Sequence, residues 1–254
     1  MRVDQRRVRA QRGLVDLQRV GAPAEVLEQH REVVEQGGIR AGHAQRVAIR
    51  ALGAIASSAA ASTATFNNTL PRYRSPGQNA IFTYRIASTP ALADTVLAAG
   101  EHKRLNPQLY YYGGSFGLQA EQMSSEQEVS LNGVAATFEH TAWQVVASYV
   151  LTGESASYKG FKPASPYAAG GGWGAFEIAL RHGVLDIDDD VFPVYANPAA
   201  SVSEAENTGV SLNWYLTGNA RISFDYEATK FDGGAATGDR LDEKALLTRL
   251  QVTF

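Results

Sequence analysis

From about Ser75 onward, apolar and polar residues take turns at every second position in stretches of roughly ten residues, and Gly, Asn, Asp, Ser or Pro separates one stretch from the next. Period-two alternation puts successive side chains on opposite faces of an extended strand. From Asn219 to Phe231, Ala220, Ile222, Phe224, Tyr226 and Ala228 share one face, while Arg221, Ser223, Asp225, Glu227 and Thr229 share the other. From Lys244 to Phe254, Leu246, Leu250, Val252 and Phe254 fall on an apolar face, which turns Arg249 the opposite way. From Trp173 to Asp186, Phe176, Ile178, Leu180 and Val184 alternate with Glu177, Ala179 and Arg181; from Thr208 to Leu216, Val210, Leu212 and Trp214 alternate with Gly209, Ser211, Asn213 and Tyr215. Weaker alternation predicts strands over Gln78–Ile86, Asp94–His102, Pro107–Gly113, Phe116–Met123, Glu128–His140 and Thr141–Thr152, so about ten in all.

The connections between these strands alternate in length. Short turns are predicted at Gly113–Ser115, near His140 and at Thr217–Asn219, and long connections at Gly153–Gly172, Ile187–Ser203 and Asp232–Glu243. Short turns on one side and long loops on the other belong to a transmembrane antiparallel β-barrel. A soluble β-sandwich also alternates, but its strands run about five or six residues, whereas a tilted membrane strand needs about nine to eleven. Aromatic residues gather at strand ends, and Tyr110, Tyr112, Trp143, Tyr149, Trp173 and Trp214 are the candidates for interfacial girdles.

Composition changes the picture in two places. No run approaches the roughly 18 to 20 apolar residues of a membrane helix, so a helical membrane protein is excluded. The chain has no cysteine, which removes disulfides and thiolate metal sites. The net charge of −3 conceals an asymmetry: the first 60 residues hold ten Arg against six acidic residues, or +4, leaving −7 for the remainder. That basic segment contains no aromatic residue, which argues against nucleic-acid binding. Val26, Leu27, Val33 and Val34 give it a thin helical stripe, and its Ala48–Ala61 stretch lies too deep for an export signal. Residues 1–70 are therefore expected to be a poorly structured or partly helical non-barrel segment, not native to the barrel, with a porin-type barrel region over 71–254.

Five stretches carry a resemblance. LPRYRSPGQNAIFTYR (Leu70–Arg85), LNPQLYYYGGSFGLQAE (Leu105–Glu121), GGGWGAFEIALRHGVLDIDDD (Gly170–Asp190), NTGVSLNWYLTGNARISFDY (Asn207–Tyr226) and ALLTRLQVTF (Ala245–Phe254) together resemble the C-terminal part of the phosphate-selective porin O and P family. The resemblance implies a sixteen-stranded homotrimeric channel in the Gram-negative outer membrane that passes phosphate or other small anions. It also implies that Leu250, Val252 and Phe254 form a C-terminal signal for the barrel-insertion machinery. About ten strands are fewer than that barrel has, and an open sheet edge in lipid would leave amides and carbonyls unpartnered. A smaller closed barrel with a structural or anchoring role, or a non-conducting fragment, is the alternative.

In a channel the working residues are charges on the lumen face. Arg85, Arg181, Arg221 and Arg249 are pore-lining candidates, as are Glu177, Asp225 and Glu227. Both signs occur, and Glu177 with Arg181 or Arg221 with Asp225 could equally be partners that stiffen the wall. Enzymatic chemistry finds no footing: His102, His140 and His182 lie near strand ends without a nucleophile elbow. Asp186, Asp188 and Asp190 begin like a calcium loop, but Val191 and Asn197 stand where the loop needs Gly and a bidentate acid. The Gly170–Gly174 run opens a strand where a phosphate cradle would open a helix. No cofactor or metal is expected.

Overall fold

The computed structural model describes residues 70–86, 94–169 and 171–253, together with the backbone of 31–33 and 46–57. It is an all-β, antiparallel structure. Its large sheet comprises β1 (Arg31–Val33), β2 (Arg46–Ser57), β5 (Leu97–Gly113), β6 (Phe116–Leu131), β7 (Val134–Val150), β8 (Ala175–Asp186), β9 (Val202–Tyr215), β10 (Ala220–Ala235), β11 (Gly238–Asp239) and β12 (Glu243–Val252). A separate hairpin is formed by β3 (Arg72–Arg74) and β4 (Ala80–Thr83). Each long strand pairs with its neighbour in sequence, β2 running against β5 and so on to β10 against β12. Among the described residues the sheet does not close on itself, since β12 pairs with β10 alone.

Register fixes the faces. Cα partners in an antiparallel pair share a face, so one row runs Phe116, Tyr149, Ile178, Leu212, Phe224, Thr248 across six strands. The next row runs Leu118, Ala147, Leu180, Val210, Tyr226, Leu246. Many of these apolar side chains are exposed, with Leu180 56% and Leu246 75% open. A soluble sheet would not leave so continuous an apolar face uncovered; a lipid-facing wall must. The opposite face carries Gln119, Glu121, Gln144, Arg181, Asn207, Asp225 and Glu227.

Three expectations need correction. Asp94–His102 and Pro107–Gly113 are one strand, β5, since Pro107 keeps its place opposite Ala51 and Gly100, at φ +66°, absorbs an irregularity between Ala98 and His102. The turn expected near His140 lies at Asn132–Gly133, both with positive φ, the conformation of a tight hairpin turn, so β7 runs on through His140. Gln78–Ile86 contributes to no wall strand, because its strand residues pair within the β3–β4 hairpin. Within the segment expected to lie outside the barrel, β2 pairs along β5 from Arg46 to Ser57; the rest of residues 1–69, apart from β1, lies outside the described residues. The wall strands fully described therefore number seven, with β2 an eighth.

Candidate functional site: the polar face and its two covers

The polar face is not uniformly polar. Toward the β6–β7 turn it becomes apolar, and there the β3–β4 hairpin lies against it. Phe82 and Tyr84 of the hairpin bury against Val129, Phe138, Ile187 and Val191, and Ile81 packs with Val202, Ala205 and Phe231. Two polar anchors fix its position. His140, buried on β7, bonds through Nε2 to the Tyr84 hydroxyl at 2.8 Å, and its Nδ1 accepts the Asp188 amide at 3.2 Å. Burial pushes the Tyr84 phenol above its ordinary range. On the far side of the face, the Glu243 carboxylate accepts from the Ser75 hydroxyl at 2.8 Å and the Gly77 amide at 2.9 Å, and the Asn79 amide also donates to it. The hairpin thus spans from β7 to β12 across the face.

The opposite end is covered by the connection between β7 and β8. Ala156 buries with Tyr112 and Val150, Tyr158 meets Tyr110 edge-on at 4.8 Å, and Phe161 lies over Tyr215 at 4.3 Å. The Thr152 hydroxyl and the Ala164 amide hold the Glu154 carboxylate, shaping the connection.

Between the two covers runs a cross-strand belt. Gln108 and Gln144 donate to Glu121; Arg181 donates to Asn207 at 3.1 Å, and Asn207 to Thr229 at 3.0 Å. Arg181 also meets Glu227 at 2.8 Å. A Cβ on Gly209 would sit 2.2 Å from the second Glu227 oxygen, so glycine is what lets that carboxylate lie flat against β9. That oxygen is buried and has no hydrogen-bond partner among the described residues.

A sheet bearing a continuous lipid-type face and a charged face folded over by its own connections is porin architecture. The profile of the family described as phosphate-selective porin O and P matches residues 75–254. The chain belongs to that family. A stretch of 144 residues is 28% identical to porin O of Pseudomonas aeruginosa, covering 56% of this chain and 33% of that protein. The chain thus spans about a third of that relative's length.

Within this porin-family wall the candidate residues fall as follows. Glu177, Arg181, Arg221, Asp225, Glu227 and Arg249 all project from the polar face. Their partners are not the ones the sequence suggested: Glu177 accepts from Asn213 and Tyr215, Asp225 from Ser211, and Arg221 donates to Tyr215 and Gln251. Arg249 makes no hydrogen bond or ion pair among the described residues and is exposed. Arg85 is not on the wall; it follows the hairpin and its guanidinium donates to the Pro193 carbonyl at 2.6 Å. Trp143, Tyr149 and Trp214 stand on the apolar face, and Trp173 beside them takes the Trp214 indole N–H on its carbonyl at 2.6 Å. Tyr110 and Tyr112 are on the polar face beneath the β7–β8 connection, because in the Tyr110–Tyr111–Tyr112 run the pleat gives only Tyr111 to the lipid side. Leu250 and Val252 are apolar-face residues, and Phe254 lies outside the described residues. Asp188 is spent capping a short turn, accepting from the Asp190 amide, and among the described residues no acidic or histidine cluster could hold a metal.

Proposed function

We propose that the chain forms the wall and constriction of an outer-membrane channel through which small anions such as phosphate diffuse. The observation that carries this reading is the strict division of the sheet into a lipid-type apolar face and a face bearing Arg181, Arg221 and Arg249. Family membership supports it, since the family is described by its selectivity for phosphate. On this reading the β3–β4 hairpin and the β7–β8 connection narrow the path, and Leu250, Val252 and Phe254 address the chain to the insertion machinery. Trimeric assembly is the form in which the lipid-facing surface would be shared.

Planar-bilayer recording of the purified, refolded protein tests it. Stepwise conductance with a reversal potential on the anion side is the expected result. Arg249→Glu should move that potential toward cations, because Arg249 is a free guanidinium on the polar face and its reversal exchanges two units of charge there. A folded but silent protein would instead support a structural or anchoring barrel.

A further inference from the structure

The β3–β4 hairpin and the connection between β8 and β9 are joined into one lid. Tyr84 bridges to Ala196, and the Arg85 amide donates to the Tyr195 carbonyl at 2.7 Å. The Thr83 amide donates to the Ser201 hydroxyl at 3.2 Å, and that hydroxyl donates back to the Thr83 carbonyl at 3.1 Å. Phe82, Tyr84, Val191 and Ala196 of the lid bury as a single cluster with Val129 and Phe138 of the wall. One wall side chain is bonded to both halves of this lid. His140, 2% exposed on β7, accepts the Asp188 amide of the connection on Nδ1 at 3.2 Å. Its Nε2 must then bear the hydrogen of the neutral ring, which is directed at the Tyr84 hydroxyl of the hairpin, 2.8 Å away.

This arrangement requires an uncharged imidazole. A second proton would go to Nδ1, where it would face the Asp188 N–H, and the charge would lie beneath Phe82 and Tyr84 without water. A closed lid and a protonated ring therefore oppose each other. The titratable groups that face His140 are the Tyr73 and Tyr84 phenols of the hairpin, His102 on β5 and Asp188 of the connection, with the charged Arg104 beside His102. Arg104 adds positive charge, and His102 is engaged in the same way as His140: its Nε2 accepts from the Arg104 guanidinium at 3.1 Å. Asp188 acts in the opposite sense, with both carboxylate oxygens already accepting the Glu139 and Asp190 amides. Protons reach this level from water. On the outer face, the rows flanking His140 are Lys103, Glu126 and Glu139, then Thr141, Asp186, Glu204 and Asp232, which stand beyond an apolar band.

We propose that acid releases this lid through protonation of His140 and so widens the path that the hairpin narrows. The widening rests on the reading of the polar face as a solute path; the release does not. Below about pH 6.5, where a free imidazole titrates, each pH unit should raise the open population about tenfold, the slope for one proton taken up on opening. The chain has no cysteine, so single thiols report cleanly. Ile81→Cys on the buried underside of the hairpin and Ser155→Cys on the exposed β7–β8 connection supply a probe and a reference in the refolded, detergent-solubilised protein. The ratio of their reaction rates with a dipyridyl disulfide cancels the titration of the thiol itself. That ratio is expected to rise about tenfold per unit from about pH 6.5 to 5 and to stay flat once His140→Gln is added, because glutamine keeps a donor and an acceptor but does not titrate. A flat ratio with His140 in place would overturn the proposal. So would an equal slope with His140→Gln, or a rise confined below about pH 4.5, where carboxylates such as Glu243 titrate. If His140→Gln does not refold, proton NMR of the His140 ring decides: a ring that gains its proton while the ratio stays flat defeats the release. Acid release with unchanged bilayer conductance would overturn the widening and the constriction assigned to the hairpin. An acid-insensitive lid in a conducting protein overturns the release alone.

Discussion

Glu227 is the one buried carboxylate among the described residues, and it decides what Arg181 can do. Two strands and a glycine bring them together: Arg181 on β8 is opposite Gly209 on β9, which is opposite Glu227 on β10. Alternation in the sequence reveals that both residues share a face, but it carries no information on which strands face each other or in what register. That is why the pair was invisible while the faces were legible, and why Arg181 was matched with Glu177 instead. Removing the countercharge should unmask the guanidinium. Glu227→Gln is expected to raise the anion-to-cation permeability ratio by about threefold, the weight of one unit charge at a few ångströms in an aqueous path. Arg181→Gln leaves a buried carboxylate without its partner, and with Arg181 itself partly exposed the cost should be about 2 kcal/mol, read as a lower urea midpoint of the folded state. An unchanged permeability ratio in Glu227→Gln would place Arg181 outside the conducting path.

At the scale of elements, the late strands were legible because their alternation is long and clean; β8, β10 and β12 lie close to their expected spans, while β9 begins six residues before the expected Thr208. The early ones were misread for local reasons. Pro107 looks like a breaker, yet it is accommodated within the long β5, and the Asn132–Gly133 dipeptide, a strong hairpin signal, sits inside what reads as one apolar stretch. The segment around Phe82 reads as a wall strand because it alternates, but it pairs with β3, and through a bridge from Tyr84 with Ala196, and folds inward. Toward β12 it is held by the Glu243 carboxylate and by Arg240, which donates to the Ala80 carbonyl at 3.0 Å. Glu243→Ala removes acceptors for Ser75, Gly77 and Asn79 together, so the hairpin should loosen at that end, where Arg240 alone still donates to Ala80, while His140 keeps the other. Trypsin is expected to cut after Arg72 or Arg74 at least tenfold faster in this variant, as loss of about 1.4 kcal/mol of local protection requires. Equal cleavage rates would show that the apolar packing of Phe82 and Tyr84 holds the hairpin without Glu243.

For the molecule as a whole, the two faces make opposite demands on the same substitution. Leu212 and Ser211 are neighbours on β9, one on the apolar row with Phe224 and the other bonded to Asp225. Leu212→Arg should cost about 2–4 kcal/mol of folding into lipid bilayers, whereas Ser211→Arg should fold with little loss and add a positive charge beside Asp225. Folding yields into vesicles, read from heat-modifiable gel migration, distinguish them; equal yields would refute the face assignment. Fold class and family were both legible from the chain, since they depend on pattern repeated over many strands. Closure was not, because it depends on the pairing of edges that no alternation describes.

The length of the wall strands has an electrical meaning. β5 and β7 each run 17 residues, about 56 Å along the strand, or roughly 43 Å of height at a tilt near 40°. An apolar band needs about 25 Å of that, so the sheet overhangs the bilayer by roughly 18 Å toward the β6–β7 turn. Headgroup fields fade within a Debye length of about 8 Å at physiological salt. On the proposed channel reading, a solute approaching the rim enters beyond the reach of the membrane's own surface charge, and its first electrostatic encounter is with the protein.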